Sequence, residues 1–198
     1  MNIYTYYEKV PQMREDSQLE LIEIWKISWK KYGWNPVVLD DSHFNCSDQQ
    51  IDYLSNLPSV NPKLYEMACF LRWNALSNVG GGWMCDYDVV NCGFTPEDSL
   101  SFESLSILQG HVPCLVYGTT EDYEKVFDIF TKESANFIEN NHVSDMTVIA
   151  NIKNREDFIK CFNFVDGYPS ELSKVIHCSA RSCSLSNLSK KEAMLKIS

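Results

Sequence analysis

The chain has 198 residues, 44% of them hydrophobic and 13% aromatic, which suits one ordinary globular core and argues against disorder. Its 27 acids against 17 bases leave a formal charge of −10 with no basic stripe in any segment, which argues against a nucleic-acid partner. No stretch approaches the roughly 18 apolar residues of a membrane span, and the opening MNIYTYYEKVPQMRED has neither the basic start nor the apolar run of a signal peptide, so a soluble, cytoplasmic chain is expected, whether whole or one domain of a longer polypeptide.

NIYTYY (2–7) is rich in strand formers and predicts a first β-strand. SQLELIEIWKISWKKYG (17–33) has helical periodicity, with Gly33 as its stop, and NPVVLDD (35–41) reads as a short apolar strand. Together they predict a βαβ unit. Acids at the carboxyl ends of strands in open α/β sheets often meet a ribose or base, so Asp40 is a candidate nucleotide contact; the alternative is a capping or turn residue. Helices are expected near 48–56 and from Pro62 to about Asn78, with Pro62 suited to a first turn and Gly80 to a C-cap. VGGGWMCDYDVVN (79–91) then supplies a strand.

Further along, VPCLVYG (112–118) predicts a buried strand, and TEDYEKVFDIFTKESANFIENN (120–141) a helix burying Tyr123, Val126, Phe127, Phe130 and Phe137. DFIKCFNFVDGYP and SKVIHCSARS have strand-and-turn character, and SKKEAMLKIS closes the chain as a basic tail. Alternating elements of this kind predict a single-domain α/β fold with a mixed or parallel sheet flanked by helices. The eight cysteines form no CxxC pair, so neither a zinc ribbon nor a thioredoxin-like centre is indicated, and His177, Cys178 and Cys183 match no common metal spacing.

The chemistry concentrates at Asp86 and Asp88. Residues i and i+2 of an extended chain face one side, so their carboxylates would stand together and repel unless a cation joins them. Hard oxygen ligands suit Mg²⁺ or Mn²⁺, which keep positions open for the oxygens of a substrate phosphate. A metal and a nucleotide diphosphate are therefore expected together.

Arg72, Leu76, the glycines at 80–82, Trp83, Asp86 and Asp88 form a pattern similar to the DXD signature of nucleotide-sugar glycosyltransferases with the GT-A fold, above all the sugar-binding DXD group of mannosyl- and galactosyltransferases. Ala68-Cys69, where the family often has Ser-Asp, and Cys183, where a tryptophan is common, depart from it. The resemblance implies a GT-A-like mixed sheet, a UDP-sugar (or GDP-sugar) donor, a glycan or glycoconjugate acceptor and Mn²⁺ or Mg²⁺ as cofactor. It also implies that Thr5 and Tyr7 meet the nucleoside base, and that Tyr168-Pro169 and the span from His177 to Ser182 match a C-terminal motif. His177 becomes a further metal ligand or phosphate contact, Arg181 a second cation, and Arg72 either a nucleotide contact or a hold on Asp86.

An inverting transfer needs a base for the acceptor hydroxyl, and Asp145 is the candidate; its alternative is to cap a helix after Ser144. The nucleotide side is expected over about 1–92, the acceptor side over about 93–185, and a tail from 186. Two other functions stay open: a haloacid-dehalogenase-like phosphatase using Asp86 as nucleophile and Asp88 as acid/base, and a non-catalytic sugar-binding module.

Overall fold

The computed structural model describes residues 1–13, 15–170 and 172–198. The first half runs β1 (Asn2–Tyr6), α1 (Glu15–Lys31), β2 (Asn35–Leu39), α2 (Asp48–Ser55), α3 (Lys63–Asn78), β3 (Gly82–Cys85) and β4 (Val89–Asn91). The second half runs β5 (Leu105–Gln109), β6 (Val112–Gly118), α4 (Thr120–Glu133), α5 (Asp145–Ile152), β7 (Ile159–Cys161), β8 (Val175–His177), α6 (Ala180–Ser186) and α7 (Lys190–Ile197). The main sheet has the order β2-β1-β3-β6-β5-β7, and β4 pairs with β8 in a separate ribbon. Strand β1 is parallel to β2 and β3, whereas β6 is antiparallel to β3 and β5. The expected mixed α/β sheet, flanked by helices, is therefore present, and the opening βαβ unit is its edge.

Period-two alternation sends successive side chains to opposite faces of this sheet and builds a core on each. Tyr6, Met84, Leu105 and Val116 join Phe70, Trp73 and Phe130 from α3 and α4 on one face. Ile3, Trp83, Cys85 and Leu115 join Trp25 and Trp29 of α1 on the other. There the indoles of Trp29, Trp34 and Trp83 meet Phe94 edge-on or stacked at ring separations of 5.3–6.4 Å. Trp29 Nε1 also donates to the carbonyl of Val89 at 3.1 Å, which ties α1 to the residue following Asp88.

Three expectations change. The stretch 79–91 is two short strands, because Val89 N–H donates to Asp86 O at 3.1 Å and folds Asp86-Tyr87-Asp88 into a turn. The two carboxylates thus share a side through a turn and not through an extended strand. The closing basic tail is a helix, capped by Ser189 in a capping box with Glu192 and buried through Ala193 and Met194.

The glycines end α3 in a Schellman motif, with Gly81 N–H donating to Leu76 O at 2.9 Å and Gly80 N–H to Ser77 O at 3.1 Å. Gly81, at φ +73, lies where a Cβ would come within 2.6 Å of Thr120 N and 2.8 Å of Gly118 O. Its close approach is to the β6–α4 backbone, and none of the three glycines lines the cavity described next.

Candidate active site

A cavity of about 570 Å³ opens at the carboxyl ends of β1 and β3, where open α/β sheets bind ligands. Asp86 and Asp88 reach it from the β3–β4 turn. His177 arrives because β4 and β8 pair with Val89 opposite His177, and Cys178 N–H donates to Asp88 O at 2.9 Å. One ligand atom from each of Asp86, Asp88 and His177 lies within 4.8 Å of the others. Two carboxylates and an imidazole are a donor set that fits a small divalent cation, so the cluster can hold a metal ion. Among the described residues this is the one such group of three, and it excludes Cys178 and Cys183.

A neighbour fixes one ring nitrogen of His177. Its Nδ1 lies 2.8 Å from Gln109 Oε1, a carbonyl that can only accept. Nδ1 therefore carries hydrogen, and Nε2 faces Asp88 Oδ1 at 3.5 Å. Burial opposes charge on the imidazole, but Asp88 outweighs it and pushes His177 up to about 11. Burial would likewise raise Asp88; Lys190 and His177 overcome it and hold that carboxyl well below the usual range. At Asp86 burial prevails and pushes the carboxyl up against the pull of Arg72.

Arg72 spans three elements. From α3 its Nε donates to Cys69 O at 3.2 Å, its Nη1 to Asp86 Oδ1, and its Nη2 to Asp145 Oδ2 at 2.7 Å. The expected hold on Asp86 is thus formed, and Asp145 of α5 supplies the second carboxylate on Arg72. Asp145 also accepts from Trp73 Nε1 at 3.2 Å and, through Oδ1, from Met146 N–H at 2.7 Å. A helix does follow Ser144, but Ser144 is the N-cap of α5 and Asp145, expected as the alternative to be the cap, is its first residue.

Six expected site residues converge on the cavity: Tyr7, Arg72, Asp86, Asp88, Asp145 and His177. Three do not. Thr5 shares a strand face with Ile3 and is buried in the sheet instead of facing a ligand. Asp40 caps the short turn that follows β2, accepting from Ser42 N–H at 3.1 Å and from His43. Arg181 is exposed on α6, outside the cavity wall.

The structure adds residues that no motif marked. Lys190, the first residue of α7, donates to Asp88 Oδ2. Tyr87, in the same cavity wall, donates to Gln18 and meets Tyr7 edge-on at 6.4 Å. Glu66 is buried in the first turn of α3 and accepts from Asn61 Nδ2 at 2.9 Å, with His142 Nε2 at 4.0 Å. Glu66 also lines the cavity, and the charge of Asp145 adds to the burial that pushes its carboxyl up.

The structure resembles that of the glycosyltransferase GlyE of Streptococcus pneumoniae TIGR4, with a TM-score of 0.60 at 13% identity. The superposition covers 99% of this chain and 59% of GlyE, so the chain spans little more than half of that protein's length, and the likeness is one of fold. No curated protein matches the sequence. The model of the family described as "Domain of unknown function (DUF8765)" matches residues 1–159, the segment that carries β1 through α5 with Asp86, Asp88 and Arg72, and the chain belongs to that family.

Proposed function

We propose that the chain is a metal-dependent glycosyltransferase that moves a sugar from a UDP-sugar, or a GDP-sugar, to a hydroxyl of a glycan or glycoconjugate. The observation that carries this reading is the convergence of Asp86, Asp88 and His177 beside two cations in the wall of one cavity. The fold it shares with a glycosyltransferase supports it. Asp86, Asp88 and His177 would hold Mn²⁺ or Mg²⁺, which when bound would neutralise charge on a departing diphosphate.

The chain's own residues divide the remaining work. Tyr7, Tyr87 and Gln18 offer aromatic faces and a polar edge to the nucleoside. Arg72 orients Asp86. Both carboxylate oxygens of Asp145 are engaged, so its proposed part is to position Arg72. Where the transfer inverts the anomeric carbon, the proton of the acceptor hydroxyl falls to Glu66, a buried carboxylate in the cavity wall. One catalytic domain over 1–198 is then assembled with donor and acceptor groups from both halves of the chain.

The test is thermal: Mn²⁺ with a matching UDP- or GDP-sugar raises the melting temperature, as a ligand that binds only the folded state must, and Asp88→Asn abolishes the shift. No shift with any sugar nucleotide would sink the proposal. Phosphate release from simple phosphoesters without nucleotide binding would favour the phosphatase, although Asp86 as nucleophile is tied up by Arg72. Sugar binding indifferent to EDTA would favour a lectin-like module.

A further inference from the structure

Asp88 meets a cation that belongs to the chain itself. Lys190 Nζ pairs with Asp88 Oδ2, while the other oxygen faces His177. The ammonium sits at the N-terminus of α7, the end of a helix where the backbone dipole disfavours positive charge, so Asp88 and not the helix holds it there. Its neighbour Lys191 pairs elsewhere, with Glu20 at 3.0 Å.

We infer that Lys190 and a metal ion exclude one another at Asp88: Lys190 is a resident counter-cation that metal loading turns out of the pair and into the cavity, where its ammonium meets an anionic ligand. This rests on the metal reading of the Asp86–Asp88–His177 cluster. A divalent ion ligated by Asp88 would stand within a few ångströms of the ammonium, and both the attraction holding Lys190 and the room beside the carboxylate would be lost. The four-carbon stem of a lysine can swing without moving its backbone. Ala193 and Met194, buried one turn on, keep α7 docked while it does so. The cavity thus keeps a cation on Asp88 in both states, and only the loaded state has a spare positive charge for a phosphate-bearing ligand.

Two measurements on the full chain test this. Mn²⁺ binding is followed by electron paramagnetic resonance for the wild type and for Lys190→Met, and Lys190→Met is expected to bind about ten-fold tighter, the scale of one unlike-charge competitor at a partly exposed site. Acetic anhydride labelling read by mass spectrometry reports the amine directly in the wild type. Labelling of Lys190 should rise several-fold as Mn²⁺ saturates, while Lys191 stays constant. Equal or weaker Mn²⁺ binding by Lys190→Met, or Lys190 labelling that stays flat or falls, overturns the inference while leaving the metal site standing. Binding of Mn²⁺ by neither protein overturns the metal reading together with it.

Discussion

Single side chains in this cavity carry costs that a stability measurement can read. Glu66 is the clearest: burial pushes its carboxyl above the ordinary value of 4.5, against the hydrogen bond from Asn61. A carboxyl raised in the folded state binds more protons there than in the unfolded chain, so stability falls as pH climbs past 4.5 toward the raised value. Glu66→Gln, which can still accept from Asn61, should therefore melt higher than wild type at pH 7–8, with the gap closing as pH approaches 4.5. A lower melting temperature at pH 7 that recovers in acid would refute this. Such a cost is what a functional carboxylate is expected to carry. Gln109 makes the complementary case. It does not line the cavity, yet its carbonyl fixes the hydrogen on His177 Nδ1; Gln109→Leu should weaken Mn²⁺ binding by about ten- to a hundred-fold, the usual range for an outer-shell partner, without unfolding the chain.

At the scale of elements, the triple glycine separates local conformation from packing. Gly80 and Gly81 both have positive φ, +97 and +73, but a Cβ on Gly80 meets open space whereas one on Gly81 meets backbone at 2.6–2.8 Å. Gly80→Ala should cost about 1 kcal/mol of strain. Gly81→Ala should cost several times more, because β6 and α4 must separate to admit a methyl group, and urea denaturation of the two variants orders them. The helix end was legible, since Gly80 follows an apolar periodic run, and so were β1, α1, β2 and α3, whose signals are local. What the glycines approach was not legible, because Thr119 and Thr120 come near only when β6 pairs with β3. The break of 79–91 into two strands was hidden for a similar reason: it is set by α1 through Trp29 and by β8, far along the chain. The helical tail could have been read from Ser189 and Glu192, a capping box three residues apart.

Across the whole molecule, the site is a charge network that joins segments distant in sequence. Asp86 and Asp88 were legible because like charges so close imply a cation, and His177 because a motif pointed to it. Lys190 and Glu66 were not, since a lysine in a basic tail and a glutamate on a helix look like solvated surface until folding pairs the one with Asp88 and buries the other. Thr5, Asp40 and Arg181 lie outside the cavity wall, because a residue's type shows that it can bind but not which way its element turns. Arg72 is the keystone, linking α3, the β3–β4 turn and α5. Arg72→Met would leave Asp86 and Asp145 without their partner, and breaking a buried ion pair from one side costs about 3–5 kcal/mol. A metal at the cluster replaces the lost charge for Asp86 but not for Asp145, which is no part of the cluster. Saturating Mn²⁺ should therefore raise the melting temperature of Arg72→Met by more than that of the wild type without fully restoring it, and adding Asp145→Asn should recover much of the remainder. Equal Mn²⁺ shifts in wild type and Arg72→Met would mean that Asp86 does not share its charge between the arginine and the metal.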